Sequence, residues 1–510
     1  MLSAKLSRFS RPDSGLLVAL PAAIAIIPLI VPAFPPLTDV PGHLGRYAVQ
    51  IGLADDPVLA GWFSFDWRLI GNLGVDLPVQ WLGPLMGVEA AVKLIVIAIV
   101  VLSVIGMIAL QRAASGRVGP AACFALPLIY GFPFQFGFIN YCLSMAFALC
   151  AAAYWIRLGQ ATRIGYRAAL VVPLSLMIWL THIGGWGALG LIAFAGDVER
   201  LREAGLGTVR AWAEAGLQVT VLALPALVTV VVRMDGAAGD TLDWFNWLTK
   251  FQWFAMALSD QWQVFDLWSV CIIGFVLAAG LALPLFHFNR TLGLATLLML
   301  AAFIITPRVL IGSAYADMRL APWILALGLL GMELKPDKPI WVARGLMVAG
   351  LAFFLIHTGA TTVSFLSYDQ MMRGELAALD HVPRHARIVA LVGRECNATW
   401  QLERRAHLPS LAIVRRHAFS NDQFDMPGAQ LIGVHYPAGA PFAADPSQMV
   451  TNDSCARPDW IPYTKAVARI PHAAFDYLWV IGAPRENRAD LRGFTPLWQH
   501  GRSALYRVEH

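Results

Sequence analysis

The sequence contains few charged residues for its length. Asp, Glu, Lys and Arg make up only 14% of the 510 residues, whereas 57% are hydrophobic. A soluble protein usually carries about 25% charged residues, so this composition excludes an ordinary soluble chain. The net charge of +5 says little by itself. Because no RNA- or DNA-binding motif accompanies it, we predict no nucleic-acid partner.

Signatures of several common protein classes are also absent. The sequence has no Walker motif, no dinucleotide-binding fingerprint and no nucleophile elbow, and no internal repeat suggests a secondary transporter. Of the six cysteines, Cys396 and Cys455 lie in the polar C-terminal region, and their spacing fits no zinc pattern. In an oxidising exterior these two could form a disulfide, although two unrelated thiols are the alternative.

What the sequence does contain is a series of apolar runs long enough to cross a membrane. The runs lie at 15–34, 90–110, 119–134, 140–157, 167–181, 184–196, 216–232, 268–287, 291–306, 320–333 and 340–363. They predict an α-helical polytopic membrane protein with about eleven transmembrane helices. Basic residues follow alternate runs, which places the N-terminus in the cytoplasm and the C-terminus outside.

The composition changes sharply near residue 364, where polar residues, proline and histidine become frequent. HARIVALVG (385–393) and DYLWVIGAP (476–484) are typical of buried strands, and the closing GRSALYRVEH of a turn and an edge strand. Residues 398–408 could form a helix. We therefore predict a transmembrane domain at 1–363, which includes a first outer loop at 35–88, and a soluble α/β domain at 364–510.

The segment PPLTDVPGHLGRY (35–47) directly follows the first apolar run. Its prolines hold Asp39 on a rigid corner, and residues 40–50 have the pattern of an interfacial amphipathic helix. Asp39 could accept a proton from a hydroxyl group or bind a cation, or it could be a solvated helix cap. His43 could bind phosphate, orient a substrate or make a structural hydrogen bond. Two ligands are too few to name a metal, so a divalent metal is possible but not favoured.

Two later segments place polar residues at membrane depth. YGFPFQFGFINYCLS (130–144) is an apolar run broken by glycine and proline, which predicts a bent or re-entrant element or else a tight hairpin. Asn140 and Tyr141 within it could hydrogen-bond a polar ligand. WLTHIGGWG (179–187) places His182 on the same side as Asp39, although an isolated histidine is more often a satisfied structural residue.

The loop TPRVLIGSAYADMRLAPW (306–323) carries two arginines at the outer boundary, against the positive-inside pattern. Arg319 could form a structural pair with Asp317, or one of the two arginines, Arg308 and Arg319, could capture a phosphate group. The remaining outer acids have the pattern of solvated loop residues: Asp55, Asp56, Asp66, Asp76, Asp240 and Asp243.

Together these features resemble the GT-C superfamily of integral-membrane glycosyltransferases. DVPGHLGRY is similar to the D-x-P-x-H-x-x-R pattern of bacterial GT-C-like proteins, and FGFINYCLS and ADMRLAPW are similar to further recurrent segments. The acid after the first span, the long first outer loop, the outward arginine before a late span and the exported C-terminal domain extend the resemblance over the whole chain.

The resemblance implies an enzyme of the bacterial inner membrane that transfers a sugar from a polyprenyl phosphate, commonly undecaprenyl phosphate, usually with inversion. By the same resemblance, the transfer would occur on the periplasmic face and the acceptor would be a glycan, lipid or protein. Asp39 would be the general base or would position the acceptor, and Arg319 and Arg308 would bind the leaving phosphate. The cavity would be lined by His43, Asn140, Tyr141, His182, Tyr315 and Asp317.

One departure from the family pattern leaves the chemistry open. Many relatives carry an acidic pair in the first loop, whereas Val40 follows Asp39 here. The identity of the base and any metal dependence therefore stay open, and no cofactor is certain. Two other functions also fit: a flippase or transporter of a lipid-linked glycan, and a non-catalytic protein of envelope-glycan assembly.

Overall fold

The structure is a computed structural model that describes residues 13–225, 227, 240–397, 400–426, 429–455, 460–484 and 489–510. The basic residues at 5, 8 and 11, on which the orientation of the N-terminus depends, lie outside the described residues. Much of the second half of the apolar run 216–232 lies outside them as well. The described residues are mostly helical and form a sheet near the C-terminus.

The α-helices before residue 240 have the following bounds: Asp13–Ala25, Ile27–Ile30, Val40–Gly52, Pro57–Ala60, Asp76–Met86, Val88–Ser115, Ala122–Ala125, Phe132–Phe136, Ile139–Gly159, Ile164–Thr181, Ile183–Glu203 and Thr208–Val219. Those after it are Trp247–Ala255, Gln263–Ala282, Arg290–Ile305, Ala321–Gly331, Ile340–Leu376, Leu411–Arg416 and Tyr463–Ala468. Short 3-10 turns extend or join several of these helices, for example Met318–Leu320 and Leu408–Ser410.

Five helices of the described chain are long and apolar enough to cross a membrane: Val88–Ser115, Ile139–Gly159, Ile164–Thr181, Gln263–Ala282 and Ile340–His381. Four shorter apolar helices are Gly15–Ala25, Ala122–Phe136, Arg290–Ile305 and Met318–Gly331. A multi-pass membrane protein agrees with these lengths, since about 20 residues span the hydrocarbon core. The predicted count of about eleven spans is not confirmed.

The interruption predicted at 130–144 is present in the backbone. A 3-10 segment, Leu126–Tyr130, is followed by the five-residue helix Phe132–Phe136, which ends at Gly137 with φ +103°. Glycine tolerates this left-handed conformation without a steric penalty. A new helix then begins at Ile139, so the helical structure is interrupted twice within this apolar segment.

The chain divides into two compact units. Unit 1 comprises the described part of residues 1–31 together with 69–75 and 95–363, and unit 2 comprises residues 32–68, 76–94 and 364–510. Most of residues 35–88, the predicted first outer loop that was grouped with the transmembrane helices, thus packs with the C-terminal residues. The physical reason is the helix Val40–Gly52, of which ten residues are buried in unit 2.

Unit 2 is built around a mixed sheet. Its strands follow the order β10 (Phe494–His500), β11 (Ser503–Val508), β9 (Tyr477–Ile481), β4 (Arg387–Arg394), β7 (Met449–Thr451) and β8 (Ile461–Pro462), with β5 (Phe419–Ser420) also paired to β4. A separate two-stranded sheet joins β1 (Phe63–Phe65) to β6 (Ile432–Val434), and unit 1 contains the pair β2 (Phe286–Phe288) and β3 (Met332–Leu334).

The two predicted central strands are confirmed. β4 and β9 pair in parallel, with Val389 opposite Leu478 and Leu391 opposite Val480, and these side chains enter the core of unit 2. Ala390 and Trp479, which alternate with these residues along the two strands, are buried as well. Burial on both faces is typical of a parallel sheet. Uninterrupted runs of apolar residues therefore identified these strands correctly.

Two local predictions are wrong. Residues 400–408 do not form the helix predicted over 398–408: residues 400–403 have no regular structure beyond a bend, residues 404–407 form a turn, and the 3-10 segment Leu408–Ser410 follows. Residues 398 and 399 lie outside the described residues. The closing strand β11 lies between β10 and β9, so it is not an edge strand. Its hairpin partner β10, with only Phe494 fully buried, occupies the edge because it presents the more polar side chains.

The helix Val40–Gly52 exists as predicted, but it does not lie on a surface. It packs against Leu408–Ser410 and Leu411–Arg416, and two of its glycines allow close contacts with later residues. A Cβ atom on Gly45 would lie 2.4 Å from the Gln423 side chain, and one on Gly42 would lie 2.6 Å from Phe424. Glycine therefore permits the close approach that buries the helix.

Candidate functional site

Asp39 lies at the N-cap position of the helix Val40–Gly52, but its carboxylate makes no capping hydrogen bond. The side chain is 14% exposed, and its Oδ1 atom lies 3.8 Å from Nε2 of His407. A cap would direct the carboxylate to the first turn of its own helix. Asp39 instead faces an imidazole that is 368 positions later in the sequence.

His407 is buried among three carboxylates. Its Nδ1 atom donates a hydrogen bond of 2.7 Å to Oδ1 of Asp422 and lies 4.0 Å from Oδ1 of Asp445. An ionised carboxylate only accepts hydrogen bonds, so Nδ1 carries the proton. Asp39, His407, Asp422 and Asp445 are called the His407 cluster below.

The charges of the His407 cluster set the protonation state of its imidazole. Burial alone would lower the pKa of His407, but the charge and hydrogen bond of Asp422, together with the charges of Asp39 and Asp445, outweigh it and raise the pKa to about 9. His407 is therefore an imidazolium at neutral pH. The same burial, opposed by the positive charge of His407, raises the pKa of Asp445.

Asp422 is fixed by its own hydrogen bonds. Its Oδ2 atom accepts from the backbone N–H of Ser410 at 3.1 Å, and its Oδ1 atom accepts from Nε2 of Gln448 at 2.9 Å. The Ser410 hydroxyl donates to the Asp422 carbonyl oxygen. Gln448 also donates to Asp445 at 2.6 Å. A carboxylate held in this way orients the imidazole that it contacts, as a supporting acid does in many active sites.

His43 does not share the acid partners of His407. Its ring stacks on Tyr47 with a centroid distance of 6.2 Å and lies 5.7 Å from Phe424, whose ring also contacts His407. Burial, with added repulsion from Arg46 and His407, lowers the pKa of His43 well below its ordinary value. His43 is thus a neutral residue beside the cluster, and its predicted role in lining a cavity stays a prediction.

The arginine of the same motif has a structural partner. Arg46 forms an ion pair of 2.8 Å with Asp76, and both side chains are fully buried. Gln50 donates to the Asp76 carbonyl oxygen at 2.9 Å. The description of Asp76 as a solvated loop acid is therefore wrong. Asp56, which was described in the same way, is also buried. Both lie in unit 2 because the first outer loop packs there.

In unit 1, the predicted residues Arg319, His182 and Tyr141 come together. Nη1 of Arg319 lies 3.0 Å from Nε2 of His182, and the Tyr141 hydroxyl donates to the Arg319 carbonyl oxygen at 2.6 Å. Nη2 donates to Oγ of Ser313 at 3.2 Å, and the guanidinium lies 4.2 Å from the centre of the Phe138 ring. This arrangement holds a half-buried cation beside two aromatic rings.

Asp317 is not the partner of Arg319. Its carboxylate pairs with Lys250 at 3.0 Å and accepts from Nε1 of Trp253 at 3.1 Å, in a buried position. The alternative of an Asp317–Arg319 pair is therefore wrong. Arg308 lies 3.6 Å from Asp243, and both side chains are about one third exposed. Arg308 thus has an acidic partner, and its predicted binding of phosphate stays a prediction.

The two remaining predicted lining residues also make contacts within unit 1. Asn140 accepts from the backbone N–H of Val75 at 2.7 Å and donates to the Asn72 carbonyl oxygen at 2.9 Å. Tyr315 has φ +58°, which few non-glycine residues adopt, and packs against Trp253 and Phe136. Asn140 thus connects two segments of backbone, whereas Tyr315 packs in an aromatic group.

The two cysteines of the C-terminal region are joined. Cys396 and Cys455 form a disulfide with a Cα–Cα distance of 5.6 Å. This distance lies in the usual range for a disulfide. The bond ties the loop after β4 to the loop after β7, which pairs with β4 in the sheet.

Two groups of described residues bring three possible metal ligands within 4.8 Å of one another: Asp56, His385 and His417, and His407, Asp422 and Asp445. In the second group Nδ1 of His407 donates a hydrogen bond to Asp422, so an ion could bind there only after Nδ1 loses its hydrogen.

Sequence reasoning missed His407, Asp422 and Asp445. One signal could have found Asp422: the polar run NDQ (421–423) directly follows the buried strand β5. Functional groups are common where parallel strands end at their carboxyl edge. No comparable local signal marks His407, which lies in a turn, or Asp445, which precedes β7.

Comparison with protein-family models and with curated proteins finds no match. Among solved structures, the cryo-electron microscopy structure of arabinofuranosyltransferase AftD from Mycobacteria resembles this chain with a TM-score of 0.46 and 13% sequence identity. The likeness covers 97% of this chain and 41% of that chain, so the present chain spans less than half of its length. A likeness this distant carries no information on activity, which has to come from the residues of the site.

Proposed function

We propose that this protein is a membrane glycosyltransferase. It transfers a sugar from a polyprenyl-phosphate donor to a periplasmic, lipid or glycan acceptor, with inversion and with Asp39 as the base. The observation that carries the proposal is the placement of Asp39. Its carboxylate leaves its own helix uncapped and faces His407, which a buried Asp422 holds at 2.7 Å.

This arrangement supports a base because it holds a carboxylate beside an imidazole at a partly exposed position. The imidazolium of His407 attracts the negative charge of Asp39, and Asp422 prevents the imidazole from turning away. A base next to a positive charge is weak. It still suffices for a transfer with an oxocarbenium-like transition state, in which the sugar carbon becomes strongly electrophilic before the hydroxyl proton leaves.

The reaction balances as a single displacement. The acceptor oxygen forms a bond to the anomeric carbon while the bond from that carbon to the phosphate oxygen breaks. The hydroxyl proton passes to Asp39, and the electron pair of the broken bond leaves with the polyprenyl phosphate. Inversion follows because the acceptor attacks opposite the leaving group.

The leaving phosphate needs a cation, and Arg319 is the proposed one. Its guanidinium is held by Ser313 and by the Phe138 ring, and it stays half-buried. A fixed guanidinium binds phosphate oxygens in a defined direction and stabilises charge that develops on them. Arg308 is the second candidate, although it must first give up its contact with Asp243.

The test uses the full chain in lipid bilayers. The donors are a panel of undecaprenyl phosphates, each carrying a labelled pentose or hexose, and a cell-envelope extract supplies the acceptor. We expect Asp39→Asn to lower transfer by about 10²- to 10⁴-fold, the usual effect of losing a general base, while donor binding is retained. Asp66→Asn is the matched control, since Asp66 lies in the same outer loop with a 66% exposed side chain.

Three results would overturn the proposal. If Asp39→Asn transferred sugar at the rate of Asp66→Asn, Asp39 would not be the base. If no donor of the panel supported transfer, the protein would not be the proposed enzyme. Movement of the labelled donor across liposomes without any acceptor, unchanged in Asp39→Asn, would favour a flippase instead.

A further inference from the structure

A second cluster of ionisable residues lies in unit 2, outside the His407 cluster. Oδ2 of Asp56 lies 2.8 Å from Nε2 of His385 and 2.7 Å from Nδ1 of His417. The three residues come from the first outer loop, from the turn before β4 and from the end of the helix Leu411–Arg416. They are called the Asp56 cluster, and the activity proposed above uses none of them.

Both histidines of the cluster have a left-handed backbone. His385 has φ +62° and His417 has φ +49°, conformations that cost free energy for residues other than glycine. The N–H of His385 donates to the carbonyl oxygen of Arg416, which ties the two turns together. Backbone strain of this kind persists where surrounding structure enforces it and is concentrated at functional sites. His417 takes this conformation as the C-cap of the helix Leu411–Arg416, and the two turns together place both imidazoles against one carboxylate.

Nδ1 of His417 has two neighbours with opposite hydrogen-bonding requirements. Nδ1 lies 2.7 Å from Oδ2 of Asp56, which only accepts, and 3.0 Å from Nη2 of Arg384, which only donates. One ring nitrogen carries either a hydrogen or a lone pair, so it can satisfy one of these neighbours but not both. A cation between Nδ1 and Oδ2 would use the lone pairs of both atoms.

We propose that Asp56, His385 and His417 bind a divalent first-row transition-metal ion, with Zn²⁺ as the reference ion. Two imidazoles and one carboxylate are ligands that this class of ion accepts, and three protein ligands leave a fourth position for water or another ligand. The histidine side chains are 37% and 33% exposed, so an ion can reach them from solvent.

The geometry needs only a small adjustment. Zn–N and Zn–O distances near 2.0 Å place tetrahedral ligand atoms about 3.3 Å apart, so the present separations have to widen by about 0.5 Å. Oδ1 of Asp56 is already fixed by the backbone N–H groups of Val58 and Leu59, which orients the carboxylate as outer hydrogen bonds do at known metal sites. Arg384 is exposed and can swing away.

The experiment is a titration of the purified full chain, stripped with chelator and held in detergent, with Co²⁺ as a spectroscopic probe and Zn²⁺ as competitor. We expect one equivalent of Co²⁺ with tetrahedral visible absorption, displaced by Zn²⁺. His385→Ala and His417→Ala should each weaken binding at least tenfold. Arg384→Gln should bind several-fold tighter because it removes a nearby positive charge.

His435→Ala is the matched control, since His435 is a histidine of unit 2 that hydrogen-bonds Ser64 and lies outside the cluster. It should bind Co²⁺ like the parent protein. Equal binding by the parent and the double variant His385→Ala/His417→Ala would overturn the proposal, as would a signal lost in His407→Gln instead. A failure to bind in both the parent and the folded Arg384→Gln variant would overturn it too. None of these outcomes depends on whether the protein transfers a sugar.

Discussion

His407 donates a hydrogen bond from Nδ1 to the buried carboxylate of Asp422, at a distance of 2.7 Å. This pair raises the pKa of His407 to about 9, with further help from Asp39 and Asp445 and against the effect of burial. The folded chain thus holds a proton that the unfolded chain, with an ordinary histidine pKa near 6.5, releases earlier. The stability of unit 2 therefore depends on pH.

The sign of that dependence follows from linkage. The contribution is complete below about pH 6.5, declines as the pH rises, and is lost above about pH 9. A difference of about 2.5 pKa units corresponds to a contribution on the order of 3 kcal/mol. We expect the melting temperature to fall between pH 6.5 and 9, and Asp422→Asn to flatten this decline. A parallel decline in both proteins would contradict the assignment.

His43 should give the opposite dependence. Burial, Arg46 and His407 hold the pKa of His43 well below its usual value, so the unfolded chain binds a proton that the folded chain excludes. Its contribution is present above about pH 6.5 and is lost as the pH falls below that value. Thermal melts of His43→Gln and the parent between pH 4.5 and 7 should diverge at the acidic end, whereas His435→Gln should follow the parent.

Breaking the pair of Arg46 and Asp76 should destabilise the protein strongly. Each side chain is fully buried, so Asp76→Asn leaves an uncompensated charge, and such changes cost about 3–5 kcal/mol. The double variant Arg46→Met/Asp76→Leu removes both charges and should be more stable than Asp76→Asn. Denaturation midpoints measure this order, with Asp66→Asn as an exposed control expected to change stability by less than about 1 kcal/mol.

The contact at Gly45 gives a test of how the site is packed. A methyl group there would meet the Gln423 side chain at 2.4 Å and the Ser410 side chain at 2.9 Å, next to Asp422. We expect Gly45→Ala to cost about 1–3 kcal/mol, as overpacking usually does, and to lower transfer activity by displacing Asp422. Gly52→Ala lies on the same helix with its nearest neighbour at 3.8 Å, so it should leave stability and activity nearly unchanged.

Several local features were predictable from the sequence because they depend on short-range patterns. Continuous apolar runs predicted β4 and β9, and the glycine and proline in 130–144 predicted a broken helix, since both signals act within a few residues. The helix after Asp39 was also predictable. Its burial was not, because its amphipathic pattern does not reveal that Gly45 faces the turn at Ser410.

The sequence by itself determined the membrane class and the change of composition near residue 364, and it singled out Asp39 as a candidate acid that follows two prolines. Only the tertiary structure decided that Asp39 faces His407, that Asp76 is buried against Arg46, and that Asp56 meets His385 and His417. These contacts join residues 30 to 368 positions apart in the sequence. Such pairings depend on how helices and strands pack, and no local spacing of residues encodes that packing.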